Sequence, residues 1–292
     1  MQGDLLQLAY FGVHVGNKEI EDVTMKEILE WFERMREFSF DIETIGKKAT
    51  VLRNFFDFYK KSGYSVLEPM LIPVPPRRHK IPRVAKEEDF NMILDVIQSE
   101  TKRRSKGAMR SNHVRNKAMV LMLWDTGARI GEICALDIGD IDLEKKKAII
   151  QTEKSRGTRP IRELFWTEKT NKALKSWMVQ RKLIVGRMAV QEPSALFLSV
   201  KGGRPKDTAR GKRTSASAFG EILRKYSNKA GLPINFNAHS MRHHMGHHII
   251  QKGGSNADVM NVLGHASVQS TTPYTMMQDK ELEKRYRKFN GE

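Results

Sequence analysis

The first regular pattern of apolar positions begins after Thr24. Ile28, Leu29, Phe32, Met35 and Phe38 recur near helical spacing. Thr24 with Glu27 three residues on is a capping box that starts this helix. Asp41 can cap a second helix. Its apolar face is Ile45, Val51, Leu52, Phe55, Phe56, Phe58 and Tyr59, its basic face is Lys47, Lys48 and Arg53, and Gly63 can end it. The pair predicts a small helical domain over residues 1–72, although nothing in the pattern places residues 1–20.

The pattern then stops. Pro73 to Arg83 holds four prolines and five Lys, Arg or His residues. Proline favours extended backbone and lacks the N–H a helix needs, so 73–83 reads as an extended basic linker before a second domain over 84–292. Helices resume near Lys86, pause at the basic run Lys102, Arg103, Arg104, Lys106 and Arg110, and return as an apolar helix over 118–124. Lys147–Thr152 and Arg159–Leu164 read as short strands joined by the turn Ser155–Thr158, a hairpin with a basic tip. The string Thr126 to Glu132 ends one helix and starts another, His239 to His243 opens a further helix, and Leu263-Gly264-His265 closes another at a glycine cap. Residues 201–206 and 211–213 read as basic loops, and 280–289 as one more charged helix. The fold class expected is mainly α with a small β-hairpin.

Charge narrows the partners. Lys and Arg number 51 against 34 Asp and Glu, a formal net charge of +17. That excess points to a polyanion, with nucleic acid ahead of an anionic membrane surface. No apolar run approaches a membrane span, the N-terminus has no secretory pattern, and one cysteine, Cys134, can form neither an internal disulfide nor a zinc finger. The expected location is intracellular, in cytoplasm or nucleoid. His243 and His247, four apart on one helical face, invite a metal reading, but His244 stands where a zinc protease has its glutamate, and no carboxylate or cysteine pair is placed nearby. No metal and no cofactor is expected.

Three strings carry the chemistry: TGARIGE at 126–132, HSMRHH at 239–244 and LGHASVQSTTPY at 263–274. In order and spacing they resemble the boxes of the tyrosine recombinases, also called phage-type integrases, and the likeness covers nearly the whole chain. It implies a helical core-binding domain, a linker and a mixed α+β catalytic domain. Residue by residue it implies that Arg129, Lys154, His239, Arg242, His265 and Tyr274 are catalytic. The chain departs from the usual pattern at Glu153 and Ser155, which flank Lys154, and at Pro273 before Tyr274.

Those residue types suit the reaction. Tyrosine hydroxyl has an ordinary pKa of about 10 and needs activation. Two guanidiniums, Arg129 and Arg242, can grip the phosphate, stabilise the transition state and lower the tyrosine pKa. Lys154 can protonate the departing 5′-hydroxyl, His239 can take the tyrosine proton, and His265 can hydrogen-bond a phosphate oxygen. Glu132, three residues after Arg129 on the same helix, can orient a guanidinium. A covalent 3′-phosphotyrosine conserves the broken bond, so no ATP is needed.

The expected partner is double-stranded DNA. Lys47, Lys48, Arg53, Arg77, Arg78, Lys80, Arg156, Arg159, Lys201 and Arg204 are the candidate phosphate contacts. The resemblance also implies a tetramer on two duplexes, with residues 280–289 docking on the next subunit, and it admits an accessory DNA-bending protein. Mobile-element or viral integration and excision is the favoured role. Other readings are a Xer-like chromosome dimer resolvase, a type IB topoisomerase-like relaxing activity, and a catalytically silent DNA-binding relative.

Overall fold

The computed structural model describes residues 2–76, 83–103, 108–151, 161–187, 190–199, 211–232 and 236–264. The chain divides into two compact units, Met1–Lys80 and Ile81–Glu292.

The first unit is helical: α1 Gln2–His14, α2 Met25–Glu37 and α3 Ile42–Lys61. Thr24 and Glu27 form both halves of the capping box, and Asp41 accepts from the Thr44 N–H at 2.7 Å to cap α3. Ile28, Trp31, Phe32 and Met35 of α2 bury against Ile45, Ala49, Leu52 and Phe56 of α3, with Phe11 of α1 and Val15 just after it completing the core. Three residues assigned from spacing to the apolar faces point outward instead: Leu29, Phe38 and Phe58 are exposed. Phe38 sits at the C-cap of α2, beyond the last full turn, so helical phase no longer governs it. Residues 2–14, which have no legible pattern, form α1.

The second unit contains α4 Glu87–Arg103, α5 Ala108–Thr126, α6 Ile130–Ala135, strands β1 Ile141–Asp142, β2 Lys147–Gln151 and β3 Ile161–Phe165, then α7 Glu168–Arg187, α8 Ala216–Lys229, α9 Ala238–Gln251 and α10 Asn256–Leu263. The strands form an antiparallel sheet in the order β1-β2-β3, with Ile150 opposite Arg162. Helix α5 starts ten residues before the apolar run that predicts it. Over 118–123 every residue is buried, as expected of a helix packed on all sides. Asp125 near its end accepts from the Thr167 N–H and Thr170 hydroxyl, joining α5 to the start of α7. Among the described residues no helix is long and apolar enough to cross a membrane.

Two basic residues that the sequence places on a basic loop or a DNA-facing side have duties inside the fold. Arg213, expected in a basic loop, donates to the carbonyls of Cys134, Ala135 and Leu136 at the end of α6 and pairs with Asp137 at 2.5 Å and Glu192 at 3.3 Å. A cation at a helix C-terminus satisfies carbonyls the helix leaves open. Arg53, a candidate phosphate contact, donates to the carbonyls of Met70 and Ile72 in its own unit.

Candidate functional site

Helix α5 ends at Thr126, and Gly127 follows with a φ of +58°, in the left-handed region. The turn also depends on Thr126, whose hydroxyl donates to the Met122 carbonyl and accepts from the Ala128 N–H. Arg129 then stands at the N-cap of α6. There the Glu132 carboxylate receives both the Arg129 backbone N–H, at 2.8 Å, and its guanidinium Nη1, at 2.9 Å. Glu132 therefore both satisfies an open backbone N–H at the start of α6 and aims a guanidinium. Its side chain is fully buried.

Arg242 comes from α9, which Asn237 caps through the Ser240 N–H at 2.9 Å. It is 3% exposed. Its Nη1 donates to the Gly127 carbonyl at 2.9 Å and its Nη2 to the Leu263 carbonyl at 2.6 Å. The guanidinium thus spans the C-terminal ends of α5 and α10, where carbonyls lack helical partners and the helix dipole favours a cation.

A third arginine closes the circuit, and sequence reasoning misses it. Arg162 on β3 donates Nη2 to Glu132 at 2.6 Å and Nη1 to the Val262 carbonyl. Its signal lies in strand parity: it shares a face with buried Leu164 and opposes Ile150, so a charge occupies an apolar slot. Burial pushes its pKa below the ordinary value, Glu132 opposes the shift and Arg129 adds to it. An arginine keeps its proton through such a shift. Polar contacts now run from Arg129 to Glu132, Arg162 and Val262, and return from Leu263 through Arg242 to Gly127. Three guanidiniums against one carboxylate leave two positive charges in excess, a setting suited to a phosphate.

Two glycines permit this closeness. A β-carbon at Gly127 would stand 2.6 Å from Leu263 Cδ2 and 2.9 Å from Met245 Cβ. Gly264 caps α10 at φ +65°, and a β-carbon there would stand 2.7 Å from Arg162 Nε.

His239 and His243 lie one turn apart on α9 and meet edge to face at 4.7 Å between ring centroids. His239 is exposed. Burial, then the charges of His239 and Arg242, hold His243 at about 4. The folded value lies below the ordinary 6.5, so burying this ring favours the folded state fully above pH 6.5 and loses that contribution as pH falls toward 4. Ring-nitrogen NMR on labelled protein should therefore find His243 neutral at pH 6, and a charged ring there would refute the assignment. His244 faces elsewhere. It stacks on Trp124 at 3.9 Å, and its Nδ1 is 2.9 Å from the Ala85 carbonyl.

The site residues Arg129, His239 and Arg242 are thus brought into one region of the second unit. Lys154, His265 and Tyr274 lie outside the described residues. Lys154 belongs to the segment that connects β2 to β3, and His265 directly follows the Gly264 cap. Of the candidate DNA contacts, Lys47 is exposed, and the Lys48 ammonium lies 5.9 Å from the Trp31 ring and 5.6 Å from that of Phe40. Arg77, Arg78, Lys80, Arg156, Arg159, Lys201 and Arg204 lie outside the described residues, as does the 280–289 segment.

Residues 84–281, more than half of the chain, match the Phage integrase family. The chain is 26% identical over 276 residues to tyrosine recombinase XerC of Bacillus licheniformis, covering 94% of this chain and 84% of that relative. It is 24% identical over 270 residues to tyrosine recombinase XerD of Rickettsia bellii, covering 90% and 82%. In fold it is similar to the XerH site-specific recombinase bound to palindromic difH substrate, at a TM-score of 0.70, 19% identity, and coverage of 98% and 78%. A lambda integrase dimer bound to a core site is similar at a TM-score of 0.63 and 15% identity, covering 93% and 70%. A buried Arg242 held by two helix ends and a partly exposed Arg129 aimed by Glu132 both lie within the matched residues 84–281, and the chain belongs to the phage integrase family of tyrosine recombinases.

Proposed function

We propose that this chain is a site-specific DNA recombinase that cleaves and rejoins strands through a covalent 3′-phosphotyrosine. The observation that carries this reading is the closed set of contacts joining Arg129 and Arg242, the pair suited to grip one phosphate. The Tyr274 oxygen attacks the scissile phosphorus and gives its proton to His239. The bond from phosphorus to the 5′-oxygen breaks, and Lys154 supplies that oxygen's proton. Arg129, Arg242 and His265 hold the non-bridging oxygens, whose charge rises in the transition state. A 5′-hydroxyl then attacks the phosphotyrosine, the same proton transfers run in reverse, and the strand is sealed. The arginines and the lysine supply the positive charge, and no ATP is consumed.

The partner is double-stranded DNA, held by Lys47, Lys48 and the basic residues of 77–80, 156–159 and 201–204. Arg53 shares its guanidinium with loop carbonyls. The working form is a tetramer on two duplexes, with the 280–289 segment docking on the neighbouring subunit and with room for a DNA-bending accessory protein. It acts in the cytoplasm or nucleoid. The role favoured is integration and excision of a mobile element. A Xer-like resolvase role has one observation on its side: the XerC of Bacillus licheniformis and the XerD of Rickettsia bellii align over 94% and 90% of the chain.

The test is covalent trapping on nicked duplexes that tile the DNA around the protein's own gene. Wild type should leave a protein–DNA adduct on denaturing gels, and Tyr274→Phe should leave none. An adduct that survives in Tyr274→Phe would reject this nucleophile. Salt-sensitive binding with no adduct on any duplex would favour a catalytically silent relative.

A further inference from the structure

We propose that Arg162 is a positioning residue for strand cleavage: it shares the charge of Glu132 so that Arg129 keeps its own for the phosphate. The inference rests on the recombinase reading and adds a residue that the three sequence boxes do not contain.

The Glu132 carboxylate is fully buried, with guanidiniums on both sides. Its Oε1 receives Arg129 at 2.9 Å, and its Oε2 receives Arg162 at 2.6 Å. A buried carboxylate without a cation is costly, so the fold must supply at least one. Supplying only Arg129 would draw that guanidinium into a two-bond fork on Glu132, the geometry a carboxylate prefers. Phosphate would then compete with the carboxylate for the same donors. Arg162 occupies Oε2 and prevents the fork. The remaining bond to Oε1 and the backbone bond aim Arg129 without neutralising it.

Arg162 is itself held for this task. Its Nη1 is fixed on the Val262 carbonyl, and its stem passes where a side chain at Gly264 would be. It therefore also ties β3, which follows the segment carrying Lys154, to the end of α10, which precedes His265. Its side chain is 9% exposed, which sets it apart from the basic surface offered to phosphates.

The experiment is single-turnover adduct formation on the trapped duplex, read beside DNA affinity and thermal melting. Arg162→Gln and Arg162→Met, the latter keeping the packed stem, should slow cleavage up to roughly 100-fold, the loss that a misplacement of about 1 Å at the reacting groups can cause. DNA affinity should stay within about twofold, because one buried cation adds little to a phosphate-dominated interface. Arg162→Lys, which keeps the charge, should recover most of the rate. The deciding variant is Arg162→Gln combined with Glu132→Gln. Removing the unshared negative charge should make the double variant faster than Arg162→Gln alone. A mere structural link would be weakened further by the second change, so a slower double variant overturns the proposal. Cleavage by Arg162→Gln at the wild-type rate, or an affinity loss that matches the cleavage loss, overturns it as well. If wild type forms no adduct, the recombinase reading itself has failed, which is a different result from any of these.

Discussion

Replacing Arg242 with methionine is expected to lower the strand-cleavage rate by about 10²–10³-fold, the loss typical of removing one preorganised donor from a developing oxyanion. Two causes act together. The phosphate loses a guanidinium, and the carbonyls of Gly127 and Leu263 lose a shared donor in a buried place. Leaving buried acceptors unpaired costs about 1–3 kcal/mol each, so melting should also fall, by several degrees. Arg242→Lys separates the causes. It keeps the charge but lacks the planar fork that reaches both carbonyls, so cleavage should stay low while DNA binding persists. Single-turnover adduct formation, measured beside affinity at one fixed salt concentration, is the check. Cleavage within tenfold of wild type in Arg242→Met would remove this residue from the phosphate grip.

Gly127→Ala should strongly destabilise the second unit. The left-handed φ of +58° costs a non-glycine residue roughly 1–2 kcal/mol. The added carbon would stand 2.6 Å from Leu263 and 2.9 Å from Met245, and such overpacking costs about 1–3 kcal/mol. For a domain of this size the sum corresponds to a fall in Tm on the order of 10 °C. Calorimetry should show it, with Gly139→Ala as the control, since a β-carbon at Gly139 meets nothing within 4 Å. Equal melting of the two variants would mean that the close approach of Leu263 and Met245 relaxes without cost. The same crowding fixes how the elements of the site meet. The backbone turn that presents Arg129 is pressed against α9, which presents Arg242, and α10, which leads to His265.

Local signals were enough for much of this protein. Capping residues announce α2, α3 and α10 because a cap is satisfied within four residues of its own helix. The hairpin strands follow from β-branched residues flanking a basic turn, and the candidate site follows from three short strings. Helix α1 is silent in the sequence because its partners, Trp31 among them, lie far along the chain. Phe38 and Phe58 mislead because periodicity reports phase within a helix but not where its neighbour ends.

Within the site, the sequence alone determined Arg129, His239 and Arg242 as candidates, along with the pairing of Arg129 to Glu132, three residues apart on one short helix. Only the tertiary structure decided what surrounds them. Arg162 joins the site from 30 residues beyond Glu132, and Arg213 is withdrawn from the basic surface by carbonyls 77 to 79 residues away. A charge in a sequence declares only that it needs a partner or water. Which of these it receives depends on groups distant in the chain, and folding alone brings them within hydrogen-bonding reach.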